Sequence, residues 1–77
     1  MSLVSLNTLA VGEKAYVSKL GFGAKDRRRM QDIGIIDGTR VECLGKAVSG
    51  DPAAYLIRGA VIALRSEDAA KIAVSKI

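Results

Sequence analysis

Short stretches that are either alternating or continuously apolar, separated by glycines and polar turns, make up most of this chain. Such period-two alternation predicts β-strands with one face on a core and the other in solvent. In the first of them, Ala15 and Val17 fall on the same face. Alternation predicts strands at Lys14–Leu20 and Thr39–Leu44, and short apolar runs predict strands at Ala54–Arg58 and Ala60–Leu64. The final apolar stretch, Ile72–Val74, is predicted as a short strand or a frayed helix.

One segment has helical character. Residues Ala24–Ile33 contain three arginines, which are good helix formers, and are followed by a glycine, so a short helix is predicted to end near Ile33. Gly34 then lies where helices commonly end in a left-handed residue, a conformation that glycine adopts at little cost. In the usual cap of this kind, the next residue, Ile35, packs back onto the helix at Met30.

Glycine and proline mark the turns between the predicted elements. Asp37-Gly38 predicts a reversal after the helix, and Gly50-Asp51-Pro52 predicts a loop. Gly59 alone separates two apolar strands, which predicts a tight hairpin or one strongly bent strand pair. The predicted structural turn residues are therefore Gly34, Gly38, Gly50, Asp51, Pro52 and Gly59.

The number and length of these elements predict a small closed β-barrel. Four or five short strands with one-turn helices between them leave no bare edge when the sheet closes on itself. Ser5–Ala10 predicts one helical turn that places Leu6 and Leu9 on the core, and Ser66 predicts the cap of a second short helix. The length of 77 residues favours a single domain over residues 1–77.

The net charge of +4 is concentrated in one segment. Four cations and one acid leave +3 within five consecutive residues, Lys25, Asp26, Arg27, Arg28 and Arg29. These cations occupy the first turns of the predicted helix, where the helix dipole disfavours positive charge by roughly 0.3–1 kcal/mol per residue. The arginines are therefore either a solvated helix face or a docking patch for an acidic protein surface. Nucleic acid is the less favoured ligand, because a chain with only three aromatic residues offers bases little stacking surface.

Apolar residues beside the basic segment are more numerous than so small a barrel buries easily. The set Leu20, Phe22, Met30 and Ile36 either caps one end of the barrel or lines an exposed groove. Exposed apolar patches of this kind mark interaction sites. The predicted partner-binding residues are therefore Arg27, Arg28, Arg29, Met30 and Phe22.

Side chains suited to metal binding or catalysis are scarce. The chain has no histidine and one cysteine, Cys43, so a zinc-type site lacks most of its usual ligands and no internal disulfide can form. The carboxylates show no calcium-loop spacing, which favours turn and cap roles for them. No nucleotide-binding signature is complete, and no histidine can act as a base beside Cys43. We therefore predict no cofactor, no metal site and no enzymatic activity.

The chain also lacks an apolar stretch that could cross a bilayer, which takes about 20 residues. Its longest apolar run is Ala60–Leu64, and its first residues carry no basic leader. These features predict a cytoplasmic protein without stable membrane insertion.

Three short motifs stand out when the chain is considered as a whole. They are Arg-Arg-Met followed by Asp-Ile-Gly-Ile at 32–35, then Gly50-Asp51-Pro52, then Ala63-Leu64-Arg65. Together they resemble the motifs of the FeoA-like domain family (ferrous iron transport protein A), over about Leu6 to Val74. The resemblance implies a mainly β fold, a small SH3-like barrel with one or two short helices.

The same resemblance implies a function. It suggests a small accessory or regulatory protein that binds the cytosolic domain of the GTPase-bearing ferrous iron transporter and has no catalytic activity. Related domains also occur in metal-dependent repressors, so the alternative is a free-standing repressor-like or nucleic-acid-binding regulatory domain. A homo-oligomer is left open.

Overall fold

The computed structural model of the protein describes residues 3–20, 24–32 and 34–77. They form six β-strands and two short α-helices: β1 (Leu3–Ser5), β2 (Lys14–Leu20), α1 (Ala24–Asp32), β3 (Arg40–Lys46), β4 (Ala53–Ile57), β5 (Ala60–Leu64), α2 (Ser66–Ala69) and β6 (Ile72–Lys76). A single 3₁₀ turn, Leu6–Thr8, follows β1. The mainly β character and the short helices agree with the prediction from sequence.

The strands form one antiparallel sheet in the order β1-β6-β2-β3-β4-β5. This order begins and ends with strands that have a single neighbour each, β1 and β5. In the described residues no backbone ladder joins those two strands, so the hydrogen-bonded closure expected from sequence is not formed. The final strand, β6, lies between β1 and β2, which settles Ile72–Val74 as strand.

The core lies on the inner face of this sheet and is almost entirely aliphatic. Among the described residues its one aromatic member is Tyr55, whose hydroxyl lies 3.5 Å from the Leu6 carbonyl oxygen. Burial raises the pKa of Tyr55 to about 12, so the phenol stays neutral in this site. The buried apolar residues are Leu6, Leu9, Ala15, Val17, Met30, Ile35, Val41, Cys43, Ala53, Tyr55, Ile57, Leu64, Ala69, Ile72 and Val74.

The end of α1 has the cap that the sequence predicts. Gly34 has a φ of +95°, and its N–H donates to the Gln31 carbonyl oxygen at 3.0 Å. The N–H of Ile35 donates to the Met30 carbonyl oxygen at 2.9 Å. These two hydrogen bonds are those of a Schellman motif, and the side chains of Ile35 and Met30 are both in the core. Ile33, the predicted last residue of the helix, lies outside the described residues.

Two predicted boundaries need correction. Ser66 was expected to cap α2 but is its first helical residue. The side chain that accepts a hydrogen bond from the first turn of α2 lies far away in the sequence: the Asp51 carboxylate accepts the Ser66 N–H at 2.8 Å. Arg58 was expected to end the strand predicted at Ala54–Arg58, yet it lies with Gly59 in the turn between β4 and β5, and the two have positive φ values of +51° and +81°. Two positive φ values in a two-residue hairpin indicate a type I′ turn.

Candidate interaction surface

An open groove of about 490 Å³ lies on the described surface. One wall is the segment after α1 together with the first residues of β3, and the other comes from β4 and the turn that follows it. The lining residues are Ile36, Asp37, Gly38, Thr39, Arg40, Val41, Glu42, Leu56, Arg58 and Gly59.

The first wall is held by a network around Thr39. This threonine is only 8% exposed, and its hydroxyl donates to the Gly34 carbonyl oxygen and accepts the Ile36 N–H, both at 3.2 Å. On the other side of the turn, Gly38 donates to the Val17 carbonyl oxygen at 2.7 Å, and Val17 donates to the Thr39 carbonyl oxygen at 2.8 Å. Since every one of these bonds is made within the fold, the wall is shaped before any partner binds.

The second wall contains a residue in an unfavourable backbone conformation. Arg58 has a φ of +51°, which costs a residue with a Cβ about 1–2 kcal/mol. Asparagine or glycine is the usual occupant of this turn position. The arginine is therefore not explained by the needs of the turn itself.

Arg58 also connects the two walls. A Cβ built on Gly34 would stand 2.8 Å from the Cδ of Arg58, so the arginine side chain crosses the space that the glycine leaves open. Gly34 thus serves two purposes, because it adopts the left-handed conformation at the helix end and makes room for Arg58 at the rim of the groove.

The groove has an apolar part and a charged rim. Ile36 is 41% exposed and Leu56 is half-buried, while Arg40 and Arg58 are exposed. Neither arginine makes an ion pair with another described residue. The guanidinium groups at the rim are therefore available to an acidic group of a ligand.

The predicted basic patch is on the surface. Arg27, Arg28 and Arg29 are all exposed on α1, and Arg28 and Arg29 make no ion pair with any residue that the structure describes. Because α1 leads directly into the segment that forms the first wall, the basic patch and the groove belong to consecutive parts of the chain.

The predicted apolar contacts need correction. Met30 was expected to bind a partner, but its side chain is 1% exposed and belongs to the core, where the helix cap directs it. Ile36 is exposed and lines the groove, which agrees with one of the two alternatives left open for the apolar set. Phe22 lies outside the described residues, so its expected contact remains a prediction. The groove lies after the helix, and most of the residues that line it were not predicted to bind a partner.

Arg40 and Arg58 are the surface residues that sequence reasoning missed. Arg40 stands at an outward position of an alternating strand, which by itself is an ordinary solvent-facing cation. Arg58 could have been found from the pair Arg58-Gly59 between two apolar runs, because two-residue hairpin turns have that spacing.

Other chemistry has little support in the described part of the chain. Cys43 is fully buried in β3, as is Val41, and is a small residue of the core. Among the described residues, no three potential metal-ligating side chains of the His, Cys, Asp or Glu type come together. Neither α-helix there has the length and apolar character of a membrane span.

Comparison with known proteins gives one family. A model of the FeoA domain matches residues 4–76 of this chain. A sequence comparison with curated proteins gives no significant match.

Solved structures of FeoA proteins are similar over nearly the full chain. The FeoA-like protein from Clostridium acetobutylicum is 34% identical with a TM-score of 0.91, over 100% of this chain and 90% of that one. FeoA from Chlorobium tepidum is 28% identical with a TM-score of 0.90, over 96% and 70% of the two chains. FeoA from Stenotrophomonas maltophilia, solved in complex with zinc and described as a prokaryotic SH3 domain protein, is 28% identical with a TM-score of 0.80, over 94% and 89%.

These likenesses confirm the SH3-like fold. The family model begins two residues before Leu6 and ends two residues after Val74, so it extends slightly beyond the motifs seen in the sequence. Because that match takes in nearly the whole chain, this protein belongs to the FeoA domain family.

Proposed function

We propose that this protein is a small accessory or regulatory component of ferrous iron transport, without enzymatic activity of its own. It acts in the cytoplasm by binding the cytosolic domain of the GTPase-bearing iron transporter. Membership of the FeoA domain family supports this proposal. The Stenotrophomonas relative is itself described as possibly acting as a ferrous iron transport activating factor.

One observation carries the proposal, the basic surface formed by α1 and the adjoining groove. Arg28 and Arg29 on the helix, and Arg40 and Arg58 at the groove rim, are exposed and make no ion pair with other described residues. Exposed arginines with free donors favour an acidic protein surface, because each guanidinium can bind a carboxylate through two hydrogen bonds. The apolar residues of the groove, Ile36 and Leu56, supply a surface from which a bound partner excludes water, and such contacts contribute most of the binding energy of an interface.

A binding measurement with purified components tests this proposal. Affinity of the chain for the isolated cytosolic domain of the transporter is measured by calorimetry for the natural protein and for the double variant Arg28→Glu/Arg29→Glu. We expect the double charge reversal to weaken binding by about tenfold or more, which is about 1.4 kcal/mol. Lys46→Glu, a single charge reversal away from this surface, is the control, since this exposed lysine ends β3 at the strand end opposite the groove.

The same experiment separates the two parts of the surface. Arg58→Ala, which alters the groove rim but not the helix, is measured alongside the helix variants. Binding that falls with both changes assigns the whole surface to the partner. Binding that is unaffected by both changes overturns the proposed surface, and the absence of any binding to the cytosolic domain overturns the proposed partner.

The nucleic-acid alternative has a distinct signature. Contacts with phosphates release counterions, so the logarithm of the binding constant for RNA or DNA falls steeply and linearly with the logarithm of the salt concentration. We expect no measurable affinity for random-sequence single-stranded RNA or duplex DNA at physiological salt. Tight, salt-dependent binding of either would favour the repressor-like alternative over the transporter.

A further inference from the structure

Strand β5 presents an unpaired edge. It pairs with β4 on one side, in the continuous register Ala53↔Leu64 to Ile57↔Ala60. In the described residues no other strand pairs with β5, and none of its residues takes part in a backbone hydrogen bond to a loop or turn. The other terminal strand, β1, has three residues, whereas β5 has five.

The hairpin geometry shows which groups face this edge. A two-residue turn makes Ile57 and Ala60 the hydrogen-bonded pair that closes the hairpin, and hydrogen-bonded and non-hydrogen-bonded pairs then alternate. Ala60, Ile62 and Leu64 therefore direct their backbone groups toward β4. Val61 and Ala63 direct theirs away from the sheet, where they remain free to pair with an additional strand.

The edge lacks the features that usually prevent strand addition. Natural edge strands carry charged residues, proline or bulges that block pairing. Strand β5 reads Ala-Val-Ile-Ala-Leu and contains no charge and no proline. Register shifts occur in the β2–β6 and β3–β4 pairings, but none interrupts the pairing of β5 with β4. Val61, in the middle of the strand, is 67% exposed.

We propose that a second copy of this chain pairs with β5 along this edge, antiparallel, with the twofold axis at Ile62. In this register Val61 of each copy lies opposite Ala63 of the other, and Ala60 lies opposite Leu64. Both Val61–Ala63 pairs then form narrow hydrogen-bonded pairs, which use all the free backbone groups of the two strands. The result is one sheet that continues across the twofold axis.

The sequence of β5 favours its own copy over a charged partner strand. Every residue of the strand is apolar, so antiparallel self-pairing places no like charges opposite each other. The half-buried Ile62 side chains meet on the inner face at the axis, and Val61 contacts Ala63 on the outer face. The contact is a single strand pair and therefore small, which is typical of weak complexes with dissociation constants in roughly the micromolar range or above.

Sedimentation equilibrium over a wide range of protein concentration tests the proposal. We expect a reversible monomer–dimer equilibrium for the natural chain. Val61→Lys should abolish the dimer by placing a charge on the edge, and Ala63→Pro should abolish it by removing an N–H that faces outward. Val11→Lys is the control, because Val11 is 59% exposed in a turn before β2 and should leave the dimer intact. Far-ultraviolet circular dichroism confirms that each variant is folded.

Cysteine cross-linking tests the register. In a Cys43→Ala background, Ile62→Cys places two thiols opposite each other at the axis in a non-hydrogen-bonded pair, where Cβ atoms are about 4.5–5.5 Å apart. Val61→Cys faces Ala63 of the other copy instead. We expect oxidation to cross-link two copies of the Ile62→Cys variant faster than two copies of the Val61→Cys variant, although the Val61 side chain is the more exposed of the two. Faster cross-linking of the Val61→Cys variant overturns the proposed register. A monomer at every protein concentration overturns the proposed dimer, and the edge of β5 would then pair with a strand of another protein.

Discussion

Gly34 shows how one residue connects the backbone of a helix end to the shape of a binding groove. Its φ of +95° requires a residue that tolerates the left-handed region. Its missing side chain also leaves the space in which the Arg58 Cδ lies, 2.8 Å from where a Cβ would stand. Gly38 shares the first property, with a φ of +85°, but has no atom within 4 Å of a built Cβ.

We therefore expect Gly34→Ala to lower the free energy of unfolding more than Gly38→Ala. Both changes introduce a Cβ at positive φ, which costs about 1–2 kcal/mol, and only the first also displaces Arg58. Urea unfolding of the two variants gives the difference.

A double-mutant cycle isolates the contact. In an Arg58→Ala background, Gly34→Ala should be less costly by about 0.5 kcal/mol or more, whereas Gly38→Ala should be unchanged within about 0.5 kcal/mol. Equal costs for the two glycines in the natural chain would contradict the role assigned to Arg58.

Glu13 provides a pH-dependent contribution to stability. The Ala10 N–H donates to its carboxylate at 2.7 Å, and this hydrogen bond is the main reason why the pKa of Glu13 lies below its ordinary value; Lys76, at 3.4 Å, acts in the same direction. A carboxyl whose pKa is lowered by folding stabilises the fold above its unfolded pKa. The contribution is lost as pH falls through the folded pKa.

Glu13→Gln should therefore lower the melting temperature at neutral pH and have little effect in acid. The glutamine keeps an oxygen acceptor for the Ala10 N–H but removes the charge. Melting curves at neutral pH and at about pH 2 measure the effect, since the contribution of the charge is lost as pH falls through the folded pKa, which lies below the ordinary value. A difference in melting temperature that is the same at both pH values would contradict the assigned role of the charge.

At the scale of elements, the loop Gly50-Asp51-Pro52 holds the first turn of α2. The Asp51 carboxylate accepts the Ser66 N–H at 2.8 Å, although the two residues are 15 positions apart. The Ser66 hydroxyl accepts instead from the Asn7 side-chain amide at 3.3 Å. The cap of this short helix is thus a tertiary contact.

Asp51→Ala should lower the free energy of unfolding by about 1 kcal/mol, in the range of lost helix caps. Asp51→Asn keeps an oxygen acceptor at this position and should lose less. Ser66→Ala, which removes the hydroxyl expected from sequence to be the cap, is the comparison. Urea unfolding would contradict the cross-fold cap if Ser66→Ala proved more damaging than Asp51→Ala.

At the scale of the whole molecule, α1 is fixed to the sheet through a small number of buried side chains. Met30 and the cap residue Ile35 both lie in the core, while the arginines that precede Met30 face solvent. The helix therefore separates two functions, packing on one side and a basic surface on the other.

Met30→Ala should destabilise the protein by about 2–5 kcal/mol, because it removes a buried side chain from a small core. Arg28→Ala should change the free energy of unfolding by less than about 0.5 kcal/mol. Thermal unfolding of the two variants measures this contrast. If Met30→Ala left stability unchanged and weakened only partner binding, the core position of Met30 would be wrong and the prediction from sequence right.

Much of the fold follows from local rules. The alternation of Ala15 and Val17, the glycine after α1 and the reversal at Gly38 all appear in the structure where the sequence places them. The basic patch on α1 is exposed, as its charge requires. The sequence predicted Gly59 alone as the turn, whereas the turn also contains Arg58. An arginine does not by itself indicate whether a strand continues or ends.

The sequence by itself determined most of the elements, since periodicity, glycine positions and residue types act over short distances, and its motifs carried the resemblance to the family. Only the tertiary structure decided that Met30 is buried, that Asp51 caps α2 and that Arg58 crosses Gly34 at the rim of a groove. Each of these depends on contacts between residues far apart in the chain. Strand order and packing create such contacts, and neither is encoded in any single stretch of the sequence.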